Sequence, residues 1–190
     1  MNSPRKRKLS AFVACLGLMA SAAAAQDAGK PPYMDPSLSP EQRAADLVRR
    51  MTLEEKASQL VNQARQQSGL PPVVMDQKLM QVAQALADDL ARRRTLSHTD
   101  ASGNGIGQRF LAADYVYALA DEAVSGGQPT PEALVAALLS QPANRDTLLT
   151  SGGHDAGVGY VFRHDDTGGI GLGTYWVIDL GLQVERGPGP

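Results

Sequence analysis

The stretch GLPPVVMDQKLMQVAQALADDLARRRTLSHTD, residues 69–100, sets the pattern of this chain. Pro71 and Pro72 hold Leu70 to Met75 extended, and Asp76 then stands where a helix N-cap is needed. Leu79, Val82, Ala83, Leu86 and Leu90 follow at three- and four-residue steps, which predicts a helix with one buried face. Arg92, Arg93 and Arg94 fall in its last turn, where cations favour the negative end of the helix dipole. A glycine-rich loop, SHTDASGNGIGQ (97–108), comes next. With no strand directly before it and no Lys-Ser/Thr after it, it is not a phosphate cradle.

Moving towards the N-terminus, two capping boxes open helices: Ser39-Pro40-Glu41-Gln42 and Thr52-Leu53-Glu54-Glu55. The second continues through Ala57, Leu60, Val61 and Ala64 until Gly69. Towards the C-terminus, Tyr115 to Ser125 reads equally as strand or helix. Thr130-Pro131-Glu132 starts a helix that Gln141-Pro142 breaks. AGVGYVFR (156–163) and GTYWVIDLGL (173–182) are valine- and aromatic-rich runs that read as a β-hairpin, with Tyr175 and Trp176 as core anchors. Helices first and a hairpin last predict an α+β domain, a three-layer α/β/α sandwich.

The chain has 190 residues, enough for one domain with an extension, and 18 basic against 20 acidic residues give a net charge of −2. Residues 1–25 read as a signal peptide. Arg5-Lys6-Arg7-Lys8 is its charged start, an apolar run follows, and Ala23-Ala24-Ala25 is the cleavage pattern before Gln26. That run is too short for a transmembrane anchor. Removing the leader leaves 14 basic against 20 acidic residues, or −6, and an acidic chain without a basic stripe makes nucleic acid a poor partner. Cys15 is the only cysteine, so the exported portion has no disulfide. The expected organisation is a signal peptide (1–25), a flexible lead-in (26–38), a helical extension (39–60), the main domain (61–182) and a loose tail (183–190).

Four pieces together resemble the bacterial branch of the CAP superfamily: residues 69–100, GGQPTPEALVAALLSQPANRDTLL (126–149), AGVGY (156–160) and TYWVIDLG (174–181). That superfamily includes the cysteine-rich secretory proteins, antigen 5 and the plant pathogenesis-related 1 proteins. The resemblance implies an exported α/β/α sandwich whose cleft carries two histidines and two acids able to hold a divalent metal. His98 matches the first histidine, and Glu122 matches the glutamate, with Asp121 as a one-residue alternative. Asn144 stands where the second histidine belongs, and an amide is a poor zinc ligand. His154 is the remaining candidate to complete a metal set of His98 and Glu122. The resemblance therefore implies a non-enzymatic binding module with a degraded metal site, its cleft lined by His98, Asp121, Glu122 and Asn144. A lipid, an envelope polymer or a protein are its possible ligands. The alternative is a divalent-metal-dependent hydrolase or peptidase using His98 and Glu122, with a metal such as zinc.

A second resemblance covers 29 residues: PYMDPSLSPEQRAADLVRRMTLEEKASQL (32–60) is similar to the opening segment of glycoside hydrolase family 3. The catalytic residues of those enzymes lie far downstream in a barrel of about 250 residues, so they have no counterpart here. Glu54 and Glu55 read instead as helix-start residues.

Overall fold

The computed structural model describes residues 31–165 and 172–184, so the expected signal peptide and most of the tail lie outside the described residues. A 3-10 turn at Pro32–Met34 precedes α1 (Pro40–Arg50) and α2 (Leu53–Gln67). Then come β1 (Val74–Met75), α3 (Gln77–Arg93), α4 (Ile106–Ala112), β2 (Tyr117–Gly126), α5 (Pro131–Ser140), α6 (Pro142–Leu148), β3 (Asp155–Phe162) and β4 (Thr174–Gln183). The sheet order is β1-β3-β4-β2, with β1 parallel to β3 and both β3 and β2 antiparallel to β4.

Local chemistry sets the helix starts. Ser39 and Thr52 each form a reciprocal capping box, with Gln42 and Glu55 returning bonds to the cap backbone. Asp76 accepts from the backbone N–H groups of Lys78 (2.8 Å) and Leu79 (3.0 Å). At the other end of α3, Arg94 adopts the left-handed conformation that closes the helix.

Two helical layers sandwich the sheet. On one face α2, α5 and α6 bring Ala57, Val61, Leu134, Leu138 and Leu148 against Ala123, Val158, Trp176, Ile178 and Leu180. On the other, α3 lays Ala83, Leu86, Ala87 and Leu90 over Tyr175 and Val177, while Leu79 and Val82 meet Phe110 of α4 and Tyr115. Tyr175 and Trp176 are fully buried on opposite faces, as strand alternation requires.

The contact between α3 and β3 is unusually close. A Cβ on Gly157 would lie 2.2 Å from the Leu79 carbonyl, and one on Gly159 would lie 2.3 Å from the Ala83 carbonyl. Glycine is required there by approach distance. On the opposite layer, fully buried Arg65 of α2 donates to four backbone carbonyls: Pro71 (3.0 Å), Leu148 (2.9 Å), Thr150 (2.9 Å) and Gly153 (3.1 Å). Burial lowers its pKa from the ordinary value. One side chain thus ties the end of α2 to the loops around α6.

Several sequence expectations change. The undecided segment 115–125 is strand from Tyr117 onward, forming β2. The glycine-rich loop ends sooner than expected, because α4 begins at Ile106, with Gln108 Oε1 accepting from the Gly105 N–H (2.7 Å). Pro142 ends α5 but also opens α6, occupying the first helical position where its missing N–H costs nothing. The sequence boundary at residue 60/61 falls inside α2, whose Ala57 already lies in the core.

Candidate functional site

His98 hangs from a loop that hydrogen bonds hold in shape. Arg93 donates to the Thr99 carbonyl (2.8 Å) and Ser97 Oγ accepts from the Thr99 N–H (3.0 Å). Asp100 Oδ1 accepts from the N–H groups of Ser102 (2.8 Å) and Asn104 (2.9 Å), an aspartate-led turn. From α4, Arg109 donates to the carbonyls of His98 (3.0 Å) and Asn104 (2.9 Å).

Glu122 on β2 receives this loop. Its Oε1 lies 2.8 Å from Nδ1 of His98, and its Oε2 pairs with the Arg109 guanidinium. The two members of the histidine–glutamate pair face different media: the Glu122 side chain is 2% exposed, whereas the His98 side chain is 65% exposed. The bond to Glu122 raises the His98 pKa above 6.5, against the opposing pull of burial and of Arg109.

Directly opposite Glu122 in the β2–β4 ladder stands Asp179, completely buried. Both its carboxyl oxygens and Arg109 Nε lack a hydrogen-bond partner among the described residues. Two ionised carboxylates have no donor between them, and a proton on Asp179 supplies one. Burial, then the charge of Glu122, pushes the Asp179 pKa well above its ordinary value. The protonated form is thus favoured at Asp179, while the Arg109 guanidinium pairs with Glu122.

The other residues expected in the cleft are elsewhere. Asp121 alternates with Glu122 and shares the face of Ala123, towards α2 and α5, so the one-residue alternative is excluded by strand geometry. Asn144 lies on α6, whose Leu148 packs on that same opposite layer, and its amide donates to Gln141 (2.9 Å). His154 precedes β3. It sits three residues along and two strands across from Glu122, roughly 10 Å in each direction, with its Nδ1 2.9 Å from Asp155 Oδ1. Asp155 also accepts from the buried Tyr115 hydroxyl (2.6 Å).

These positions decide the metal question implied by the resemblance. A zinc site needs three protein ligands or more, and no group of three His, Cys, Asp or Glu side chains able to hold a metal exists among the described residues. Both oxygens of Glu122 already face nitrogen donors. The residues present do not fit a divalent ion.

Sequence reading missed Arg109 and Asp179. The one available signal was Asp179 itself, the sole charged residue in the apolar run YWVIDLG. Beside the site, α3, α4 and the His98 loop enclose a groove of about 380 Å³, floored by Val82, Ala85 and Ala113 and edged by Asn104, Gln108 and Arg109. No helix among the described residues is long and apolar enough to cross a membrane.

An α/β/α sandwich with a histidine–glutamate pair at the end of its sheet defines a class of protein, and comparison with known proteins identifies it. The sequence matches the cysteine-rich secretory protein (CAP) family over residues 59–180, more than half of the chain, and the chain belongs to that family. It is 30% identical over 108 residues to the uncharacterised protein YkwD of Bacillus subtilis, covering 57% of this chain and 42% of YkwD. The chain thus spans less than half the length of that relative. Among solved structures, it is similar to an outer surface protein of Borrelia burgdorferi (TM-score 0.61, 21% identity, 70% of this chain and 97% of that one). It is also similar to an extracellular protein containing an SCP domain from Bacillus anthracis (TM-score 0.59, 19% identity, 77% and 45%). At these identities the likeness establishes the fold.

Proposed function

We propose that this chain is an exported binding module that holds an anionic envelope polymer at the His98 face. The observation that carries binding over hydrolysis is the pairing of Glu122: His98 and Arg109 take one oxygen each, so this carboxylate is committed to holding its neighbours. A general base needs a free oxygen within reach of the proton it removes.

What the site offers a ligand is an exposed imidazole, oriented through Nδ1 and biased towards its cationic form. Arg92 and Arg93 stand at the end of the helix that delivers it, sharing the single counter-charge of Asp89 (2.7 and 2.6 Å). The exposed imidazole and these guanidiniums offer donors to an anionic partner. Export rests on the leader pattern of residues 1–25.

Co-sedimentation with isolated bacterial sacculi that retain their anionic polymers tests the reading. Retention at low salt should fall several-fold in His98→Ala and weaken as salt rises. Equal retention of both proteins, at every salt concentration, would overturn it.

A further inference from the structure

We infer that Arg109 is the resident cation of this site and fills the role that a divalent ion would otherwise take beside Glu122. The inference deepens the binding reading above and rests on the same His98–Glu122 pair. Every contact of Arg109 points the same way. Its side chain is 8% exposed, and its guanidinium pairs with Oε2 of Glu122 while bonding the carbonyls of His98 and Asn104. The charge is therefore built into α4, fixed by three partners on two other segments of chain. A guanidinium is planar, permanently charged and matched to carboxylate geometry, which a compact hydrated cation is not.

Arg109 also reaches further than a metal would. By holding the His98 and Asn104 carbonyls it shapes the loop that presents the imidazole, so one side chain both neutralises Glu122 and positions His98. A divalent ion approaching Glu122 would meet this fixed positive charge at contact distance and would have to displace it. Neighbouring charges do not relieve that conflict: Asp100 is occupied by Ser102 and Asn104, Asp89 by Arg92 and Arg93, and Asp121 faces the other layer.

Zinc chloride titrated into the full chain by calorimetry tests the inference, with Arg109→Met, Arg109→Lys and His98→Ala alongside. Wild type and Arg109→Lys should bind no zinc through His98. Arg109→Met, with Glu122 released to act beside His98, should gain weak two-ligand zinc binding that wild type lacks, and the gain should be lost in the Arg109→Met/His98→Ala double variant. If Arg109→Met is folded but destabilised, a rise of its melting temperature with added zinc reports the same gain. Micromolar binding to wild type that disappears in His98→Ala would overturn the inference, as would identical zinc affinity in wild type and a folded Arg109→Met. Retention on sacculi is read separately, so a metal-binding wild type that still sediments would defeat the role of Arg109 and leave the binding reading standing.

Discussion

Asp179 and Glu122 face each other across adjacent antiparallel strands, one wholly enclosed, the other clasped by a histidine and an arginine. Two like charges opposite one another would destabilise the ladder. Burial and the neighbouring Glu122 favour the protonated form of Asp179, which relieves that conflict.

Stability should therefore carry a signature of Asp179. Its folded pKa is raised, so its contribution is fully present below the unfolded value of about 3.8 and is lost as pH climbs through the folded value. Wild-type stability should decline over the range above pH 4 for this reason. Asp179→Asn, which mimics the protonated acid, should flatten the decline and gain roughly 1–3 kcal/mol at pH 8. Denaturant unfolding across pH 4–8 checks it, and a steeper decline in Asp179→Asn contradicts it.

His98 carries the opposite kind of group and the same sign of slope. Its folded pKa is raised above 6.5, so the stabilisation is complete below pH 6.5 and fades as pH rises through the folded midpoint. Glu122→Gln removes the main cause of the shift, and the imidazole midpoint followed by NMR should fall. The same variant leaves buried Arg109 without its counter-ion and should cost about 3–5 kcal/mol.

Arg65 is a structural arginine. Replacing it with Met strips donors from the carbonyls of Pro71, Leu148, Thr150 and Gly153 together, at a cost above about 3 kcal/mol. Arg65→Lys can satisfy only part of the set, so its melting temperature should fall between those of wild type and Arg65→Met.

Gly157→Ala should be far more damaging than its size suggests. The added methyl meets backbone atoms of Leu79, which cannot rotate away, so overpacking of at least about 1–3 kcal/mol is expected. Thermal unfolding of Gly157→Ala and Gly159→Ala measures it, and wild-type melting in either would show that α3 can lift from the sheet.

Much of this architecture was readable because it rests on local chemistry. Ser39, Thr52, Asp76 and Thr130 each announce a helix by a side-chain oxygen placed to accept a backbone N–H, and all four do so. The two aromatic-rich runs form the β3–β4 pair. The seven-residue helices α4 and α6 were illegible because two turns are too few to establish a period. At the site, His98 and Glu122 came from family resemblance, with Asp121 kept as a one-residue alternative. Only the pairing register distinguishes them, since a shift of one residue turns a side chain to the other face. Arg109 and Arg65 look like surface charges in a sequence, and their burial follows from carbonyls and a carboxylate supplied by distant segments.

The bare seam between α3 and β3 works as a gauge. Leu79 sits over Gly157 and Ala83 over Gly159, so four residues of helix, about 6 Å, are matched to two residues of strand, about 7 Å. Those nearly equal strides mesh like teeth and forbid the helix to slide lengthwise. Because the loop that carries the imidazole hangs from the far end of α3, its reach to the acid on β2 is measured out at the middle of the sheet, by two residues that have no side chain to offer the cleft.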